Sequence, residues 1–262
     1  MPLDAQTTAT IAERLESAEL HARRITQITD GHSDMSWDDA YAIQDALRAR
    51  KEARSHKTVG FKCGLISPVE MKKMGVTGPC FGFLSDYMNC AEGSDIDCSR
   101  LIQPKAQAQI CIVTKAPLRG PGCHVGAVMA AIDLVIPGVE IIDSRYCDSR
   151  CDFQGLIADN ISAARFVIGG RPRNADELDL RTLGVVMEKN GKIAALAAGA
   201  AVLGHPAIAV AMLANHLGAR GQELAAGSFV MTGGVTEATE VRAGDHVTAR
   251  FQDLGSVNVR LV

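Results

Sequence analysis

Two rhythms of apolar and polar positions divide the chain. Up to about Arg54 apolar residues recur at helical spacing: Ile11, Leu15 and Leu20, then Ala40, Ile43 and Leu47. Each set falls on one stripe of a helix, which is the pattern of a packing surface. Ser36 followed by Asp39 reads as a helix start, and Arg48, Arg50 and Lys51 lie toward the end, where cations favour the helix dipole. Residues 57–65 then read as a strand ending in a glycine-rich turn, and residues 68–74 as a helical turn. From Pro79 the rhythm shortens to apolar runs broken by glycine, at residues 81–84, 106–113, 138–143, 165–168, 183–188, 192–197, 229–232, 246–251 and 256–262. Many short strands with glycine turns predict a curved, mostly antiparallel sheet or roll. Asn190-Gly191, between two such runs, signals a hairpin. Two helices interrupt, over 125–131 and 207–217. The expected fold class is therefore α+β: a mainly helical region over 1–78 and a β-roll catalytic domain over 79–262.

Composition narrows the class of protein. A chain of 262 residues that is 47% hydrophobic and 22% charged buries an ordinary globular core. A net charge of −3 supplies no general attraction for nucleic acid. No apolar run reads as long enough to span a bilayer, and the polar, charged N-terminus does not read as a secretory signal. The eight cysteines are therefore expected as free thiols in a reducing cytoplasm. Cys147 and Cys151 have no second matching pair for a zinc site, and small buried hydrophobes are the simpler reading.

Chemistry is suggested where polar residues sit inside apolar strands. In the run 105–113, Gln107 and Gln109 share one face while Ala106, Ala108, Ile110 and Ile112 share the other. Glu140 is the lone acid among Val139, Ile141 and Ile142. Buried polar groups need partners, and Lys62, Lys105 or Arg145 could supply the counter-charge to Glu140. Lys62 lies in Val59-Gly60-Phe61-Lys62-Cys63-Gly64; it is either a snorkelling surface lysine or a partly buried functional one. Arg145 could clamp a substrate carboxylate or form a structural ion pair. Asp86 is a further candidate for the pocket wall. His124, His205 and His246 are scattered without ligand spacing.

The segments Gly60-Phe61-Lys62-Cys63-Gly64-Leu65, Pro104-Lys105-Ala106-Gln107-Ala108-Gln109, Val139 through Tyr146, and Ala158-Asp159-Asn160 together resemble the 4-oxalocrotonate decarboxylase and 2-keto-4-pentenoate hydratase family of the fumarylacetoacetate-hydrolase superfamily. The resemblance runs over nearly the whole chain and is closer to the decarboxylase branch. It implies a small helical region on a β-roll, with Lys62 lining the active site. It also implies that Asp159 and Ser162, from Asp159-Asn160-Ile161-Ser162, lie near the substrate, the alternative being a local turn with a cap. Gly233 and Gly234 resemble a family loop near the pocket, whose backbone amides could hold an anion. The family binds magnesium or manganese through Glu-x-Glu and a later Glu. Here those positions are Gln107, Gln109 and Glu140, so three carboxylates become one. Hard dications want charged oxygen ligands, so the expectation is no metal, or weakly bound Mg2+ or Mn2+.

The implied function is a lyase acting on an unsaturated 2-oxo acid or diacid, cytoplasmic and homo-oligomeric, with a hydratase subunit as a possible partner. Two other readings stay open. The pocket is repurposed for another metal-independent reaction on a carbonyl compound, or the chain is a non-catalytic relative that binds an oxo acid or a partner subunit.

Overall fold

The computed structural model describes residues 2–147 and 152–262. Its strands are β1 (Thr58–Gly64), β2 (Cys80–Ser85), β3 (Asn89–Cys90), β4 (Asp95–Ile96), β5 (Lys105–Thr114), β6 (Ile132–Ile142), β7 (Ala163–Ile168), β8 (Arg173–Asn174), β9 (Gly184–Lys189), β10 (Lys192–Ala198), β11 (Phe229–Gly234), β12 (Thr239–Glu240), β13 (His246–Phe251) and β14 (Gly255–Leu261). One sheet runs β2-β1-β11-β5-β6-β7-β3, with β12 on β5 and β8 on β6; the other runs β10-β9-β13-β14-β4. Pairing is mostly antiparallel, and β1–β11, β3–β7 and β14–β4 are the parallel exceptions. The β9–β10 hairpin turns at Asn190 and Gly191, which take φ of 54° and 75°, as an Asn-Gly turn of this hand requires.

The N-terminal helices α1 (Ala5–Leu20) and α2 (Trp37–Ala53) form where the apolar stripes predict them. Ser36 caps α2 by accepting from the Asp39 N–H, and the Asp39 carboxylate accepts from the Ser36 N–H, completing a capping box. Ile11, Leu15, Ile43 and Leu47 are buried with Phe83, Phe153 and Ile157, so the helices lie on the outside of β2 and α5 (Phe153–Ala158). A buried polar tether reinforces this contact. Lys51 donates to Glu19 at 2.6 Å and to the Tyr87 hydroxyl at 2.8 Å, and Tyr87 donates to Glu19 at 2.5 Å.

The strand read over 57–65 is β1, which lies inside the large sheet, between β2 and β11. One sequence expectation changes. An apolar stretch of membrane-spanning length does exist: Gly199–Ala219 passes that test by length and composition. It contains helix α6 (Pro206–Ala219), whose Ala207, Val210, Leu213, Ala214 and Leu217 are buried in the main core with strand residues of both sheets. The high apolar content of α6 is that of a core helix. The remaining helices are α3 (Pro68–Met74) and α4 (Val125–Ala131). Among the described cysteines, seven are free thiols; Cys151 lies outside the described residues.

Candidate active site

Strand register places the acid and the amides together. Gln107 on β5 lies opposite Glu140 on β6, and Gln109 lies opposite Gly138, one pleat along. Gln107 Nε2 donates to Glu140 Oε2 at 2.8 Å, and Gln109 Nε2 donates to the same oxygen at 2.6 Å. Gln109 Oε1 accepts from the Gly233 N–H at 2.9 Å.

Lys62 reaches this cluster from far along the sheet. It belongs to β1, three strands from β6. In a flat sheet that separation is about 14 Å, longer than a lysine side chain. The sheet curls, and the Lys62 ammonium forms an ion pair with Glu140 Oε1 across the concave face. Both side chains are 1% exposed. Lys62 Nζ also donates to the Ile161 carbonyl at 3.0 Å. Of the three candidate counter-charges, Lys62 is thus the one on Glu140.

The Asp159–Ser162 stretch meets the lysine through its backbone. Asn160, Ile161 and Ser162 all take left-handed φ, at 50°, 52° and 54°. This turns the Ile161 carbonyl toward Lys62. The Asn160 side chain holds the turn on β2: Oδ1 accepts from the Phe83 N–H and Nδ2 donates to the Phe83 carbonyl, both at 2.9 Å. Asn160 stands in the Ala158-Asp159-Asn160 segment without a role read for it there. Its one signal is residue type, since asparagine tolerates left-handed backbone.

Asp159 faces the other way. It is ion-paired with Arg145, whose guanidinium also donates to the carbonyls of Asp159, Asp143 (2.7 Å) and Ala163 (3.1 Å). Of the two readings of Arg145, the structural ion pair is the one present. Burial pushes the Asp159 carboxyl up to about 6, although the guanidinium beside it pulls down. Burial pulls the Arg145 guanidinium down, but the charges of Asp159, Glu19 and Asp143 outweigh it and hold the group above its ordinary value. Ser162 Oγ donates to Asp159 Oδ2 at 3.3 Å, so these two belong to the same buried knot. Asp86 is not brought to the cluster. It follows the far end of β2, beside His56, while Gly82 is the β2 residue opposite Lys62.

Gly233 and Gly234 close the cluster by lacking side chains. Gly233 has φ of +116°, and a Cβ there would lie 2.6 Å from Ile66 Cγ1. At Gly234 a Cβ would lie 2.4 Å from Gln107 Oε1. The Gly233 N–H is already taken by Gln109, so this amide is not an open anion donor. A cavity of 660 Å³ lined by Trp37, Lys73, Met74, Asp152 and Phe153 lies elsewhere and touches none of Lys62, Gln107, Gln109 or Glu140.

One carboxylate is present, and it faces an ammonium and two amide N–H groups. The Gln109 carbonyl oxygen is occupied by a backbone donor. Hard cations want several oxygen ligands with negative charge. Among the described residues no three His, Cys, Asp or Glu side chains form a metal-binding group.

No protein-family model matches the chain. It is 53% identical over 260 residues to 4-oxalocrotonate decarboxylase of Pseudomonas putida, covering 99% of this chain and 98% of that one. It is 36% identical over 259 residues to 2-hydroxyhexa-2,4-dienoate hydratase of Comamonas testosteroni, covering 98% of each. The solved structure of 4-oxalocrotonate decarboxylase from Pseudomonas putida G7, complexed with magnesium and adipate, superposes with a TM-score of 0.98 over 99% of both chains, at 53% identity. At the level of fold alone, fumarylpyruvate hydrolase from Pseudomonas aeruginosa matches with a TM-score of 0.59 over 77% of this chain and 88% of that one, at 15% identity.

Proposed function

The chain belongs to the 4-oxalocrotonate decarboxylase and 2-keto-4-pentenoate hydratase family of the fumarylacetoacetate-hydrolase superfamily, and from that premise we propose that it is a carbon–carbon lyase that decarboxylates an unsaturated 2-oxo diacid, with Lys62 supplying the positive charge. One observation carries the reading. The buried ammonium of Lys62 has three N–H donors, and Glu140 and Ile161 engage two of them. The third is the group assigned to the C2 oxygen of the substrate.

In 2-oxo-3-hexenedioate the C5–C6 bond breaks and carbon dioxide leaves. The electron pair moves through C3 and C4 onto the C2 oxygen, giving a dienolate. Charge therefore develops at the atom facing Lys62. A fixed donor aimed at a developing oxyanion in a dry site contributes roughly 10²–10³-fold to the rate. Glu140 places the lysine; Gln107 and Gln109 hold Glu140 in turn. Arg145, Asp159 and Ser162 support the wall behind the Ile161 turn. The higher identity to the decarboxylase than to the hydratase favours carbon dioxide loss over hydration.

The test is turnover of 2-oxo-3-hexenedioate by chelator-stripped protein, with and without magnesium. Metal-independent turnover that falls at least about 100-fold in Lys62→Ala is expected. Magnesium-dependent turnover would overturn the role given to Lys62. The proposal extends to a cytoplasmic location and to a homo-oligomer that can take a hydratase subunit; the support for assembly is Ile193 and Leu196, which stand 64% and 67% exposed on edge strand β10. Co-elution with a hydratase checks the second part.

A further inference from the structure

Three consecutive left-handed residues, none of them glycine, require a cause. Ile161 is β-branched, and for such a residue positive φ is a true outlier. Strain of this kind persists only where the surroundings over-determine it. Here two glycines make room for it. At Gly64 a Cβ would lie 2.4 Å from Ile161 Cγ2, and at Gly82 one would lie 2.6 Å from Asn160 Oδ1. Through the space over Gly82 the Asn160 amide reaches β2 and pairs with both backbone groups of Phe83. A left-handed turn that was only a connection would not need this double bond to a strand. Its product is a single placed group, the Ile161 carbonyl on Lys62 Nζ.

We infer that Asn160 is a positioning residue: its amide clamps the Asn160–Ser162 turn to β2 and so aims the Ile161 carbonyl at Lys62, fixing the ammonium for the reaction. This rests on the role proposed above for Lys62. Glu140 alone leaves the ammonium free to swing about one ion-pair contact. The Ile161 carbonyl adds a second, neutral acceptor and settles which N–H faces the substrate. Gly82, opposite Lys62 in the β1–β2 register, is the residue that allows the clamp to pass.

The experiment compares Asn160→Gly and Asn160→Ala with the wild type and Lys62→Ala. Glycine removes the amide but adopts left-handed φ freely; alanine removes the amide and keeps the strain. Both variants should lose about 10–100-fold in kcat, with KM changed less than about threefold, since misplacement by about 1 Å acts on the reacting geometry. The Tm should be lower for Asn160→Ala than for Asn160→Gly. If kcat instead tracks Tm across the two variants, or Asn160→Gly keeps wild-type kcat, Asn160 is merely structural and the inference fails. A crystal structure of Asn160→Gly gives a readout independent of turnover. The Ile161 carbonyl is expected beyond hydrogen-bond reach of Lys62 Nζ; a carbonyl still bonded there overturns the inference even if no substrate is turned over. Turnover that ignores Lys62→Ala would sink the proposed function instead, and the crystal structure would still decide the role of Asn160.

Discussion

At the scale of single residues, the site turns on what surrounds one carboxylate. Glu140 accepts from an ammonium and two amides, all of them N–H donors. Replacing Gln107 and Gln109 together with glutamate would convert two donors into negative oxygens and draw three carboxylates around one point. Magnesium should then raise the Tm of the double variant and leave the wild type unmoved, because a ligand stabilises only what it binds. A double variant indifferent to magnesium would show that these side chains do not converge as described. Lys62, Glu140 and the two glutamines were legible in the sequence because polar residues inside apolar strands have to be accounted for. Arg145 was legible as a charged residue needing a partner, but which partner it took depended on Asp159, fourteen residues away. Asn160 carried no such mark. Backbone handedness is decided by the strand it bonds to, and nothing local in Asp159-Asn160-Ile161-Ser162 reveals Phe83.

At the scale of elements, helical stripes, the Ser36–Asp39 cap and the Asn190-Gly191 hairpin were readable because each is a local rule. The insertion of β11 between β1 and β5 was not, since pairing partners more than a hundred residues apart leave no local trace. The junction of α6 with α2 and β2 shows a further nonlocal effect. His216 on α6 packs at a tilt against Tyr41 and Phe81, with ring centroids 4.4 and 5.0 Å away. Burial, aided by the nearby Arg220 charge, lowers its pKa from the ordinary 6.5 to about 4. The folded protein therefore resists protonating a group that the unfolded chain protonates at higher pH. This contribution to stability is fully present above pH 6.5 and is lost as pH falls through about 4. Thermal melts should show Tm dropping across that window more steeply than in His216→Gln; parallel curves would mean that His216 does not sense this burial.

At the scale of the whole molecule, two sheets and α6 share one core, and the N-terminal helices are fastened outside it by Lys51, Glu19 and Tyr87. The placement of β11 also sets an order in time. Lys62 pairs in register with Met231, and β11 joins β1 to β5. During synthesis β1 and its neighbour β2 leave the ribosome long before β11, which lies on the other side of β1, so joining β1 to β5 has to wait for distant contacts. In pulse-labelled hydrogen exchange during refolding, those β1 amides that bond to β11 rather than β2 should become protected together with the amides of Phe229 to Met231; their earlier protection would contradict this. Until that moment the lysine and the glutamate belong to unconnected parts of the chain. A protein lacking β11 therefore holds Gln107 and Gln109 beside Glu140 on the β5–β6 pair while Lys62 does not yet face them, and the site is completed late.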